Sequence, residues 1–150
     1  RSSAASDVYK RQIRRMHKIT RPLVEAHHGE VVKNEADNLL AVFDSVADAV
    51  AAGLAMVRGA MAEGQSPVLA FSVGIDVGDI LLIHQEDCFG DAVNLAYKLG
   101  EDIARPGEVL VTRAVRDSLG ADPALEFSEM QISISGMEVS TFSVTPRPSA

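Results

Sequence analysis

Asp87-Cys88-Phe89-Gly90-Asp91-Ala92-Val93-Asn94-Leu95-Ala96-Tyr97-Lys98-Leu99 is the stretch on which the fold turns. It opens as a loop carrying carboxylates at Asp87 and Asp91. Gly90 permits a tight backbone turn. Asp91 is placed to N-cap the helix that follows, accepting from a free backbone N–H. Asn94 and Lys98 are four apart, so they share one face of that helix. Leu95 and Leu99 share the neighbouring face and would bury it. The segment thus offers a carboxylate, an amide and an ammonium from a rigid support.

The chain on either side supplies strands and helices in alternation. Gln85-Glu86 leads into the loop from a strand at Ile80 to His84, and Gly78-Asp79 joins that strand to a partner over residues 69–77. Further upstream, Ser45 with Asp48 three residues on gives a capping-box-like start. Val46, Val50, Leu54, Val57 and Met61 follow as a buried helical stripe. Glu30 to Lys33 and Leu39 to Phe43 read as two strands joined by a hairpin turn. Before them, Ile13, Met16, Ile19, Leu23, Val24 and His27 recur at helical spacing. Pro22 should kink or break that helix near Arg21, and Gly29 is placed to end it. Downstream, the helix from Asp91 should reach Ile103. Glu108 to Val111 is a short strand, Thr112 caps a helix through Leu119, and Met130 to Ile134 and Thr141 to Val144 are strands. Residues 146–150 read as a flexible tail.

This order predicts an α+β fold, with helices on one face of a mainly antiparallel sheet. Residues 1–12 lack periodicity and a Met, and Ser6 to Gln12 looks like translated sequencing adapter. They are expected to be a non-native or disordered leader, outside a domain spanning 13–145.

The bulk numbers exclude several classes. The 150 residues carry 14 basic and 21 acidic side chains, a net charge of −7, which speaks against nucleic acid as a partner. No apolar run approaches membrane-spanning length, so no membrane contact is expected from this segment. The lone cysteine, Cys88, rules out an internal disulfide and fits a reducing, cytoplasmic setting. No Cys/His cluster has zinc spacing, and His27-His28 beside a glycine suit a turn or helix end.

The opening stretch resembles the D-x-x-G-D-x-V-N-x-A-x-R signature of the class III nucleotide cyclases, the adenylate and guanylate cyclase catalytic domains. Three further segments agree. Lys33-Asn34-Glu35-Ala36-Asp37 resembles that family's K-x-x-G-D. Val73-Gly74-Ile75-Asp76-Val77-Gly78 resembles its I-G-I-x-x-G strand, and Pro106-Gly107-Glu108-Val109-Leu110-Val111-Thr112 its P-G-E strand. The four occur in family order over most of residues 13–144. The resemblance implies a ferredoxin-like βαββαβ core with additions. It also implies a missing first strand, the one carrying F-x-D-x-x-G and the first metal-binding aspartate, as a front truncation would produce.

The resemblance also implies a chemistry. ATP would be converted to cyclic AMP and pyrophosphate by attack of the ribose 3′-hydroxyl on the α-phosphate, with Mg²⁺ or Mn²⁺ assisting. Asp37 matches the second metal aspartate; taken alone it is an ordinary turn residue. Lys33 and Asp87 match the pair that reads the base. An ammonium can donate to adenine N1 and a carboxylate can accept from the N6 amine, whereas guanine presents mismatched groups there. Without the resemblance they would be a surface lysine and a loop carboxylate. Asn94 matches the asparagine that orients the ribose, though a helix-surface amide fits the position equally.

Lys98 stands where the family has arginine, which keeps charge but loosens the planar fork on phosphate. Glu35-Ala36 replaces the usual x-Gly before Asp37. A homodimer with shared sites is implied, with Asp37, Lys33 and Asp87 of one chain facing Asn94 and Lys98 of the other. With the first metal aspartate lacking, this chain is expected to be weak or inactive. The alternative is a degenerate cyclase-like domain kept for nucleotide binding or dimerisation. A cyclic-di-GMP synthase would need a G-G-D/E-E-F motif, and none occurs.

Overall fold

The helix expected from Ile13 begins at Ala4 and runs to Ala26 as α1 in the computed structural model, which describes residues 4–35, 37–62 and 70–148, with side chains from Lys10 onward. Ala, Lys, Arg and Gln are good helix formers, and no Gly or Pro precedes Pro22 to stop the helix growing backward. Of the kink or break expected near Arg21, the break does not occur, because Pro22 lies on the exposed side and water can serve the Lys18 carbonyl left without its donor. Thr20, buried on the other side, donates its hydroxyl to the Met16 carbonyl at 2.9 Å. His28, not Gly29, takes the left-handed conformation at the helix end, with φ 66°. Gly29 instead makes room for a neighbour, since a Cβ there would run into the ring of Phe43.

β1 (Gly29–Glu35) pairs antiparallel with β2 (Asn38–Phe43), and the register slips between Val31 and Lys33. Such a bulge re-aims the side chains around it. Here Val32 enters the core while Lys33 stays half-exposed.

α2 (Val46–Ala62) starts as expected, with the Asp48 N–H donating to Ser45 Oγ at 3.2 Å. It is buried on two faces rather than one. Val50, Val46, Leu54 and Val57 face the main core. Ala52 and Met56 pack in a second cluster with Val24 of α1. Met61, placed in the stripe by sequence, is exposed. Small residues such as Ala52 carry the second face, which a search for large side chains passes over, while Gly53 lets the helix approach Val73, Ile75 and Val109 of the main core.

The main sheet has the order β3-β6-β8-β7: β3 (Val73–Ile75), β6 (Val109–Thr112), β8 (Met137–Pro146) and β7 (Leu125–Ile134). Only β3–β6 is parallel. All four residues of β6 are buried, as a strand covered on both faces requires. The strand expected over residues 69–77 is therefore short, part of it lies outside the described residues, and its partner is β6. Ile80 to His84 does not pair with it. Instead β4 (Leu81–Ile83) forms a hairpin with β5 (Asp87–Phe89), which the sequence suggested was loop. Arg113–Leu119 forms α4, with Thr112 capping it by accepting from the Val115 N–H at 3.3 Å. Pro146 closes β8, and Arg147 donates its N–H to the Ala124 carbonyl at 2.8 Å. The fold class is the expected α+β.

Candidate active site

The helix after Gly90, α3 (Asp91–Lys98), is not capped by Asp91. Gly90 is the N-cap, at φ 147° and with no side chain to offer, and a Cβ there would press on the Asp79 carbonyl at 2.9 Å. Asp91 occupies the first turn, where a carboxylate favours the helix dipole. The helix continues as a π-turn, Leu99–Ile103. It lies so close to β3 that a Cβ on Gly74 would strike the Ala96 carbonyl and the Gly100 nitrogen. Ala92 and Val93 are buried, and Asn94 and Lys98 stand exposed one turn apart, the shared face expected from their spacing.

Lys33 and Asp87 are 54 residues apart in sequence and meet in space, Nζ to Oδ2 at 3.4 Å. Each side chain is 32% exposed. Asp87 is steadied by its other oxygen, which accepts from the Cys88 N–H at 2.8 Å. That bond, then Lys33, holds the Asp87 carboxyl below the usual range despite some desolvation. Lys33 also reaches Glu35 at 3.1 Å. Glu35 and then Asp87 raise the ammonium's pKa, so Lys33 is fully charged at neutral pH.

The backbone behind this pair is one packed unit. Val32, Cys88 and Val93 precede or follow Lys33, Asp87 and Asn94, and all three are buried in the same cluster with Leu40. Tyr97 packs against that cluster, and its hydroxyl feels the charges of Lys33, Glu35 and Asp87 while burial raises its pKa. Burial also pushes the Cys88 thiol up, in keeping with a structural role. Glu35 and Tyr97 are therefore part of the site, and sequence reading assigned them nothing. Tyr97 could have been found from its place between Asn94 and Lys98. Glu35 could not, because it stands where the resembling motif varies.

Asp37 borders this unit, since Leu40, Val93 and Tyr97 line the same cleft. It lies exposed on the β1–β2 turn and lines a cleft of about 740 Å³, together with β2, β3, α1 and α3. Lys33 and Asp87 do not line that cleft. No hydrogen bond or ion pair among the described residues joins Asp37 to either of them, or joins Asn94 or Lys98 to any of the three. Lys98 pairs with Asp102 on its own helix at 3.4 Å, with both side chains half-exposed. Such a pair is worth at most about 1 kcal/mol and yields readily to a competing anion.

A divalent cation finds no prepared centre: among the described residues no three His, Cys, Asp or Glu side chains are grouped to hold one. Asp37 is a single carboxylate, a donor suited to an ion that arrives with substrate phosphates rather than to one held by the protein alone. No helix among the described residues is long and apolar enough to cross a membrane.

No protein-family profile and no curated protein matches the chain. Solved structures do. The chain is similar to an adenylate/guanylate cyclase/hydrolase from Silicibacter pomeroyi, at 25% identity over 97% of this chain and 89% of that one, with a TM-score of 0.79. It is also similar to an adenylyl cyclase from P. aeruginosa, at 20% identity over 99% and 86% of the two chains and a TM-score of 0.68. A guanylate cyclase domain from Catenaria anguillulae, solved in complex with GTP, shares 15% identity over 99% and 88%, with a TM-score of 0.71. Adenylyl and guanylyl cyclases thus share this fold. By that fold the chain is similar to the class III nucleotide cyclase catalytic domains, the family whose four motifs its sequence resembles in the same order.

Proposed function

We propose that the chain is an adenylate cyclase-type domain, forming cyclic AMP and pyrophosphate from ATP. The observation that carries this reading is the Lys33–Asp87 pair, a donor and an acceptor side by side on a rigid, buried backing. Lys33 Nζ would donate to adenine N1, and Asp87 Oδ2 would accept from the N6 amine. The long 3.4 Å separation leaves both groups capacity for a ligand. Asn94, one turn into α3, would hold the ribose so that its 3′-hydroxyl faces the α-phosphate. Lys98 would leave Asp102 for the charge that develops on phosphate oxygens. A divalent ion, Mg²⁺ or Mn²⁺, would neutralise the phosphates, and Asp37 would offer it a single oxygen.

Two copies would complete each site. Asp37 follows Lys33 on the same hairpin and lines a cleft with Leu40, Val93 and Tyr97 of the cluster behind Lys33 and Asp87, whereas Lys98 pairs with Asp102 on its own helix. The division of labour is therefore Asp37, Lys33 and Asp87 from one chain, with Asn94 and Lys98 from its partner. The β4–β5 hairpin supports the pairing. Leu81 lies across from Phe89 and Ile83 across from Asp87, so these four share one face. Leu81 is 64% exposed and Phe89 49%, an apolar patch that reaches the base-reading carboxylate itself.

A second reading, a degenerate domain that binds nucleotide without turning it over, is favoured by the lack of grouped metal ligands among the described residues and by Lys98 in the arginine position. Turnover of ATP to cyclic AMP in the presence of Mn²⁺, with Asp37→Ala and Lys98→Ala beside the wild type, separates the two. Cyclic AMP formation that both substitutions abolish supports the enzyme. ATP binding with no product in any variant supports the binding module.

A further inference from the structure

Lys33 and Asp87 are not the only link between their elements. Three residues earlier on β1, the Glu30 carboxylate accepts from His84 Nδ1 at 2.8 Å and from the Gln85 N–H at 3.1 Å. Three residues before Asp87 stands His84. Both pairs therefore span the same 54 residues, so segment 30–33 and segment 84–87 are joined at both ends. The β4–β5 turn is shaped for this contact. Gln85 holds φ 64°, an uncommon conformation for a residue with a side chain, and it presents its N–H to Glu30.

We propose that Glu30 and His84 are positioning residues: their clasp fixes β1 against the β4–β5 hairpin and so sets the distance between Lys33 and Asp87. This rests on the reading of those two residues as the base-reading pair. The clasp has no route to the nucleotide of its own. His84 is mostly exposed and is separated from Lys33 by the bulge at Val31–Lys33. Its effect is on spacing. Without it, the hairpin is tied to β1 near the site by the loose 3.4 Å pair itself and by Cys88 and Leu82 packing in one cluster with Val32. Arg21 and Glu25 of α1 are the other charged groups facing the cavity of about 800 Å³ that Glu30 and His84 line. Neither replaces the two bonds that Glu30 accepts from the turn.

The test is two measurements on the whole chain, for Glu30→Ala, His84→Ala and the double variant. The first is the Asp87 carboxyl titration followed by NMR, which needs no nucleotide. Releasing the clasp should let Lys33 and Asp87 drift apart, moving the Asp87 midpoint upward in each variant, with the double variant no worse than the singles. The second is the ratio of ATP to GTP affinity, expected to fall roughly two- to five-fold, the scale of an exposed ion pair. Glu30→Gln, which keeps one acceptor oxygen, should restore part of both effects. An Asp87 titration and a base preference unmoved by all variants overturn the proposal. If Lys33→Ala and Asp87→Ala themselves leave base preference untouched, the base-reading role falls instead. The Asp87 titration in Glu30→Ala then still decides whether the clasp sets the pair.

Discussion

At the scale of single residues, Asp87 has the sharpest consequence. Replacing it with asparagine keeps its size but turns one acceptor into an N–H donor that faces the adenine amine. A hydrogen bond to a charged group contributes about 1.5–3 kcal/mol, so Asp87→Asn should lower ATP affinity roughly 10- to 100-fold and GTP affinity much less. Competition titration with the two nucleotides checks this. Lys98→Arg should raise the turnover rate with little change in ATP affinity, since the fork acts on charge that develops only during reaction. Separate kcat and KM values decide it.

The acid side of the pH profile follows from the same carboxylates. Asp87 and Glu30 titrate below their ordinary values in the folded chain. Their stabilising effect is thus fully present above the unfolded midpoints. It is lost as pH falls through and below about 4. Thermal unfolding at successive pH values should show stability falling there, less steeply in a Glu30→Gln, Asp87→Asn variant. Lys33 and Asp87 could be picked from sequence because residue type and motif position coincide. Glu30 and His84 could not, because their meeting depends on how two segments 54 residues apart come together.

At the scale of elements, the crossing of β3 and α3 governs where Asn94 and Lys98 stand. A methyl group on Gly74 meets backbone on two sides, which cannot give way as a flexible side chain would. Gly74→Ala should cost about 1–3 kcal/mol and shift α3. Calorimetry reads the first effect and lost activity beyond the stability loss reads the second. Thr112 is a second junction. Its buried hydroxyl donates to Asp76 Oδ1 at 2.7 Å beyond β3 while capping α4. Thr112→Ala should therefore cost more than the roughly 1 kcal/mol of an ordinary cap, by chemical denaturation. Helices α2 and α4 were legible from their caps and apolar spacing. The pairing of β4 with β5 was not, since three-residue strands carry too few side chains for alternation to name a partner. The helix end was legible to within a residue, but its left-handed residue is His28 rather than Gly29, and a positive φ on a side chain other than glycine leaves no mark in sequence.

At the scale of the whole molecule, the fold class and the order of motifs were readable, and the convergence of the site only partly so. Lys33 and Asp87 meet, and Asp37, four residues beyond Lys33, lines a cleft that Leu40, Val93 and Tyr97 of the Cys88 cluster also line. In the proposed function a second chain completes the site. Leu81→Asp should shift sedimentation from dimer to monomer and abolish turnover without unfolding the chain, given how exposed Leu81 is. Adenine specificity of the site is tested most directly by calorimetric titration of the wild type and of Lys33→Ala with ATP and GTP. The predicted result is a clear preference of the wild type for ATP that Lys33→Ala removes. Equal affinity for the two nucleotides in the wild type, or a preference that survives the loss of Lys33, would contradict it.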